Sequence, residues 1–114
     1  MHMSPSTLAW FYLGLAIVLE VAGTTSMKLS DGFSRPWPTL AIFVFYGLGF
    51  SVLTLALRHI ELSVAYAIWA GVGTALIAVL GLLWFGENMT LAKLASLALI
   101  ILGVIGLNLV NDST

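Results

Sequence analysis

Four apolar runs, each close to the length that spans a bilayer, take up most of this chain and leave only short polar connections between them. A helix rises about 1.5 Å per residue and a hydrocarbon core is roughly 30 Å thick, so about 20 apolar residues make one crossing. The runs cover residues 8–27, 39–57, 64–85 and 91–110. They do not alternate polar and apolar residues as barrel strands do. The expectation is an all-α membrane protein, with residues 1–114 forming a single domain of four transmembrane helices.

Composition agrees with that reading. The chain is 61% hydrophobic and 8% charged, with mean hydropathy +1.09, and a soluble domain of this kind would expose large apolar patches. Four Lys and Arg residues against a net charge of −1 make no basic patch, which removes nucleic acid as a partner. With no cysteine there is neither a disulfide framework nor a thiolate metal site, and no metal or cofactor is expected. The first apolar run lacks the basic flank and the cleavage pattern of a signal peptide, so it is expected to persist as a helix. Met1 and His2, ahead of Met3, read as an added leader.

The connections are marked by polar clusters. Residues 28–38 combine Lys28, Asp31-Gly32, Arg35, Pro36 and Pro38; the next break falls at Arg58, His59 and Glu61, and the third at Gly86, Glu87 and Asn88. A polar tail, Asn111 to Thr114, follows the fourth run. Trp10, Phe11, Tyr12, Trp37, Trp84 and Phe85 lie near boundaries, where aromatic rings favour the headgroup level. Lys28, Arg35 and Lys93 fall on one side of the membrane and Arg58 on the other, a bias of three to one that is weak enough for insertion in both orientations.

One residue breaks the apolar pattern of the first run. Glu20 is its only ionisable side chain, near its middle, at a depth where an acidic group costs roughly 2.5–3.5 kcal/mol on insertion scales. A carboxylate there needs water, a proton or a cation, and such residues mark ion or substrate pathways. The plainer alternative is a protonated acid that only hydrogen-bonds two helices together.

Residues three and four apart share a helix face, which places Tyr12, Ala16, Gly23, Thr24 and Met27 on the strip around Glu20. Small neighbours leave room beside the acid. The third run offers Tyr66, Trp69, Ala70 and Gly73 at the same spacing, and aromatic faces attract organic cations by about 0.5–2 kcal/mol per ring. Such rings also serve simply as packing. Gly71, Gly73 and Thr74 are not a phosphate loop, because no lysine follows and no strand precedes them; close helix packing or a bend explains the glycines. Ser96, Gly103 and Gly106 form a small-residue strip on the fourth run, assigned to assembly. Four helices are few for enclosing a solute path, and transporters place their sites between structural repeats, so a dimer with its copies in opposite orientations is expected.

In order along the chain, Leu19 to Lys28, Asp31 to Pro38 and Ala65 to Gly73 resemble the small multidrug resistance family of transporters, across all four helices. The resemblance implies an antiparallel homodimer in the bacterial plasma (inner) membrane that exports cations in exchange for protons. It implies that Glu20 binds proton or substrate, with Tyr46, Tyr66 and Trp69 around the cation and Ala16, Gly23, Thr24, Gly49 and Gly73 lining the pocket. It also separates subtypes. Guanidinium exporters carry a tryptophan and a serine where this chain has Gly23 and Gly49, whereas quaternary-ammonium exporters resemble the Glu20, Gly23, Thr24 pattern. The segment Ile60 to Ala67 has some likeness to a third subtype, paired non-identical subunits that handle polyamines. Outside the family, the rivals are a ring-forming proteolipid of a rotary ATPase and a membrane-assembly protein without transport. The leading expectation is a secondary active transporter, not an enzyme, whose partners are organic cations, protons, the lipid bilayer and a second copy of itself.

Overall fold

A computed structural model describes residues 4–113; Met1 and His2, read as a leader, lie outside the described residues, as does Thr114 at the end of the polar tail. It contains four helices, α1 (Pro5–Leu29), α2 (Pro36–Ala56), α3 (Leu62–Leu83) and α4 (Leu91–Ser113). Each is long and apolar enough to cross a membrane. No strand occurs among the described residues.

The first two helices begin earlier than their apolar runs, for one shared reason. A first-turn residue has no intrahelical acceptor for its N–H, so proline is tolerated there and its fixed φ favours the helix. Pro5 opens α1 behind Ser4, whose Oγ accepts the Thr7 N–H at 3.1 Å. Pro36, expected in the loop, opens α2 instead, and Pro38 falls in the same first turn. The third helix stops at Leu83, before Trp84 and Phe85. There the chain reverses through Gly86 at φ 67°, and the Glu87 N–H reaches back to the Gly81 carbonyl at 2.9 Å.

The chain forms two compact units, Met1–Glu61 and Leu62–Thr114. In the first, α1 packs against α2 across a connection organised by Ser30, which is buried. Its carbonyl accepts the N–H groups of Ser34 (2.9 Å) and Arg35 (3.1 Å), while its Oγ donates to the Met27 carbonyl (2.8 Å) and accepts the Phe33 N–H (3.3 Å). Asp31, Gly32 and Phe33 all take positive φ, at 48°, 67° and 69°. Asp-Gly was legible as a turn; the left-handed phenylalanine, two-thirds exposed, was not.

Glycine sets how closely α2 approaches α1. A Cβ at Gly49 would lie 3.4 Å from Leu19 Cβ, 3.6 Å from the Ala16 carbonyl oxygen and 3.7 Å from the Glu20 amide nitrogen. The α1 backbone beside the acid is therefore in direct contact with α2.

In the second unit α4 packs on α3 at Gly71, where a Cβ would meet Val104 Cγ2 at 2.6 Å and Ile100 Cγ2 at 3.5 Å. Close packing, rather than a bend, accounts for that glycine, since α3 runs unbroken from Leu62 to Leu83. Large apolar side chains such as Phe43, Leu83, Leu91 and Leu99 are exposed, as befits helices whose outer solvent is lipid.

Candidate functional site

Most hydroxyls in these helices are satisfied by their own backbone. Thr25, Ser26, Ser51, Thr54, Thr74 and Ser96 each donate to the carbonyl four residues earlier, at 2.6–2.8 Å. Thr24 behaves differently. Its hydroxyl donates to Glu20 Oε1 at 3.0 Å and shares a short hydrogen bond with the Tyr46 hydroxyl. A hydroxyl has a single proton, so when Thr24 donates to Glu20, Tyr46 must donate to Thr24. The result is a chain from α2 to α1: Tyr46 to Thr24 to Glu20.

Two local rules build that chain. Thr24 follows Glu20 by one helical turn and so falls on the same face. Tyr46 reaches it because Gly23 has no side chain: a Cβ there would lie 2.8 Å from both Cδ2 and Cε2 of the Tyr46 ring. The ring also stacks on Phe50, with centroids 5.8 Å apart and planes 29° apart. Glu20, Thr24 and Tyr46 are half-buried, whereas Ala16, Gly23 and Gly49 are buried. Among the described residues no basic side chain pairs with Glu20.

Six of the expected site residues, Glu20, Ala16, Gly23, Thr24, Tyr46 and Gly49, thus meet within the first unit. Tyr66, Trp69 and Gly73 belong to α3 in the second. Tyr66 is exposed, and its ring meets that of Trp69 edge-on, with centroids 5.7 Å apart and planes at 82°. Gly73, one turn beyond Trp69, is buried. On α4, Ser96 is exposed, and added Cβ atoms at Gly103 and Gly106 would meet nothing within 4 Å. The α3–α4 contact runs through Gly71, Ile100 and Val104, while Ser96 lines a cavity with Thr74, Ile77 and Ala78 of α3. No group of three or more histidine, aspartate or glutamate side chains that could hold a metal occurs among the described residues.

The bridging role of Thr24 was only half legible. Its spacing from Glu20 is a sequence signal, but Tyr46 lies 22 residues further on and only packing brings it in.

Glu20 is thus a solitary carboxylate on a membrane-crossing helix, held by the Thr24 hydroxyl, which Tyr46 holds in turn. The sequence profile of the Small Multidrug Resistance protein family matches residues 8–100, and the chain belongs to that family. It is 50% identical over 97 residues to the multidrug resistance protein EbrB of Bacillus subtilis, covering 85% of this chain and 83% of that one. The multidrug transporter EmrE of Escherichia coli is 43% identical over 105 residues, covering 92% and 96%. The quaternary ammonium compound-resistance protein QacG of a Staphylococcus strain is 36% identical over 104 residues, covering 91% and 97%. With four membrane-crossing helices, the chain is a multi-pass protein of the bacterial plasma (inner) membrane.

The glycine contact gives a paired prediction. Gly23→Ala pushes a methyl group into the Tyr46 ring and should destabilise the folded protein by about 1–3 kcal/mol, as overpacking does. Gly14→Ala, where an added Cβ meets nothing within 4 Å, should be neutral or slightly stabilising. Denaturant unfolding in detergent micelles compares them, and equal stabilities would mean that the ring shifts without cost.

Proposed function

We propose that this protein is a proton-coupled antiporter that exports lipophilic and quaternary ammonium cations by alternating access. The observation that carries the proposal is Glu20: one acid, on a membrane-spanning helix, hydrogen-bonded by Thr24 and facing no basic partner among the described residues. A carboxylate in that setting is neutralised by a proton or by a cation. Occupancy by one excludes the other, so a site that opens alternately to each side exchanges them without ATP. Thr24 orients the carboxylate, and a hydrogen bond to a charged group contributes about 1.5–3 kcal/mol. Tyr46 holds Thr24, and the edge-on pair Tyr66 and Trp69 supplies ring faces of the kind that attract organic cations.

The names of the relatives support the substrate class: two are multidrug proteins and one confers resistance to quaternary ammonium compounds. Gly23 and Gly49 favour the same class over guanidinium, since they remove bulk and a hydroxyl where a planar, donor-rich cation would need matched acceptors. Ala16 and Gly73 add further small surfaces to the proposed pocket.

The working unit in this proposal is an antiparallel homodimer. The strip of Ser96, Gly103 and Gly106, which touches nothing within its own chain at the two glycines, is the proposed contact between copies.

Glu20→Gln keeps the side chain's size and removes its titratable charge. It should abolish pH-gradient-driven exchange in liposomes while the protein still folds, and Glu20→Asp should retain coupling with an altered pH profile. Retained pH-driven exchange by folded Glu20→Gln would sink the proposal. In binding assays at fixed pH, tetraphenylphosphonium or benzalkonium should displace bound ligand more effectively than guanidinium. Tight guanidinium binding that neither displaces would reassign the subtype and leave Glu20 as the exchange site.

Dual orientation has its own test. The chain contains no cysteine, so Ser34→Cys provides a unique label in the first connection. An impermeant thiol reagent should reach comparable fractions from the two sides of the membrane; Ser34→Lys, in a chain labelled instead at Asn88→Cys in the third connection, should shift the balance and lower activity. A single orientation in the otherwise unmodified chain would rule out the antiparallel homodimer.

A further inference from the structure

The α1–α2 hairpin has a second polar feature, at the end opposite the Ser30 connection. The start of α1 and the segment after α2 enclose a cavity of about 210 Å³. Leu8, Ala9 and Leu55 line it together with Tyr12, Arg58 and His59, whose side chains carry a phenol, a guanidinium and an imidazole; Arg58 and His59 are exposed. Arg58 and His59 use their backbone N–H groups to close the end of α2, on the carbonyls of Leu55 (3.3 Å) and Ala56 (3.2 Å). Their side chains are not used that way: among the described residues no hydrogen bond or ion pair engages the Arg58 guanidinium, the His59 ring or the Tyr12 hydroxyl. Three residues whose side chains can donate hydrogen bonds, and have no protein acceptor among the described residues, therefore line one cavity.

We propose that this cavity binds the phosphate ester of a net-anionic phospholipid head group. Guanidinium binds phosphate oxygens through two parallel hydrogen bonds, and basic pockets between membrane helices bind anionic head groups. The volume is several times the roughly 30 Å³ occupied by one water molecule, enough for a phosphate with its ester oxygens. The cavity adjoins the ends of two helices long enough to cross a membrane, the level at which lipid phosphates lie. Glu61 follows closely in the chain but does not line it.

The site is separate from the exchange site. Glu20 lies eight residues beyond Tyr12, about 12 Å further along α1. Its ligand chemistry is also opposite: a cavity bearing Arg58 repels the organic cations that a carboxylate attracts. For the same reason it disfavours a head group whose phosphate is accompanied by a choline ammonium.

Native mass spectrometry of the full chain, released from detergent with added phosphatidylglycerol or phosphatidylcholine, tests this. Phosphatidylglycerol should be retained about tenfold more strongly, the equivalent of one charge-assisted contact. The double variant Arg58→Gln, His59→Gln should lower its retention to the phosphatidylcholine level, whereas Arg58→Lys keeps the charge and should retain part of the preference. Leu55→Trp fills the cavity with both basic residues present, and should also abolish the preference. Millimolar inorganic phosphate separates the two sources of this chemistry. Undiminished phosphatidylglycerol retention supports the lipid; displacement supports a phosphate site that free phosphate also fills. Equal retention of the two lipids would overturn the proposal. So would a phosphatidylglycerol preference that survives the double variant, or, should that variant not fold, one that survives Leu55→Trp.

Discussion

Within a bilayer there is no water to take up a stray hydrogen bond, and that constraint governs this chain from end to end. Backbone groups are satisfied inside four helices, and most side-chain hydroxyls donate to the carbonyl one turn behind them. Against this background of local satisfaction, Glu20 is the exception. Its nearest help is the Thr24 hydroxyl, which in turn draws on Tyr46. Thr24 orients the carboxylate, Tyr46 orients Thr24, and no basic side chain among the described residues pairs with the acid.

The hydrogen-bond chain depends on missing side chains. Gly23 lets the Tyr46 ring lie on the α1 backbone, and Gly49 brings α2 against the turn that carries Glu20. Without those two approaches the Tyr46 hydroxyl would stand off from Thr24. The same device recurs in the second hairpin at Gly71, against Val104 and Ile100. In lipid, where burial of apolar surface gives little advantage to one helix pairing over another, close contact through glycine is the available source of specificity.

The hairpin of α1 and α2 has opposite electrostatic character at two levels. Near its middle it offers a carboxylate with no basic partner among the described residues; at one end it offers Arg58 and His59 with no acidic partner there. Glu20 sits near the middle of α1, whereas Arg58 and His59 follow the end of α2, and among the described residues no ion pair joins them.

The membrane-crossing helices were legible from the apolar runs, because a bilayer imposes a minimum length that composition alone reveals. Glu20 was legible as well, since a single acid in such a run stands out without any knowledge of its neighbours. So was the Glu20–Thr24 pairing, which follows from one helical turn. The helix starts were misjudged at Pro36 and Pro38, where residues that end helices from within prove good residues for opening one. Tertiary structure decided the rest: that Tyr46 completes the hydrogen-bond chain, that Gly23 and Gly49 exist to admit it, and that Arg58 and His59 share a cavity with Tyr12. Those relations join residues 22 or more positions apart, and their cause is the distance between two helix backbones, a quantity that no periodicity within either helix encodes.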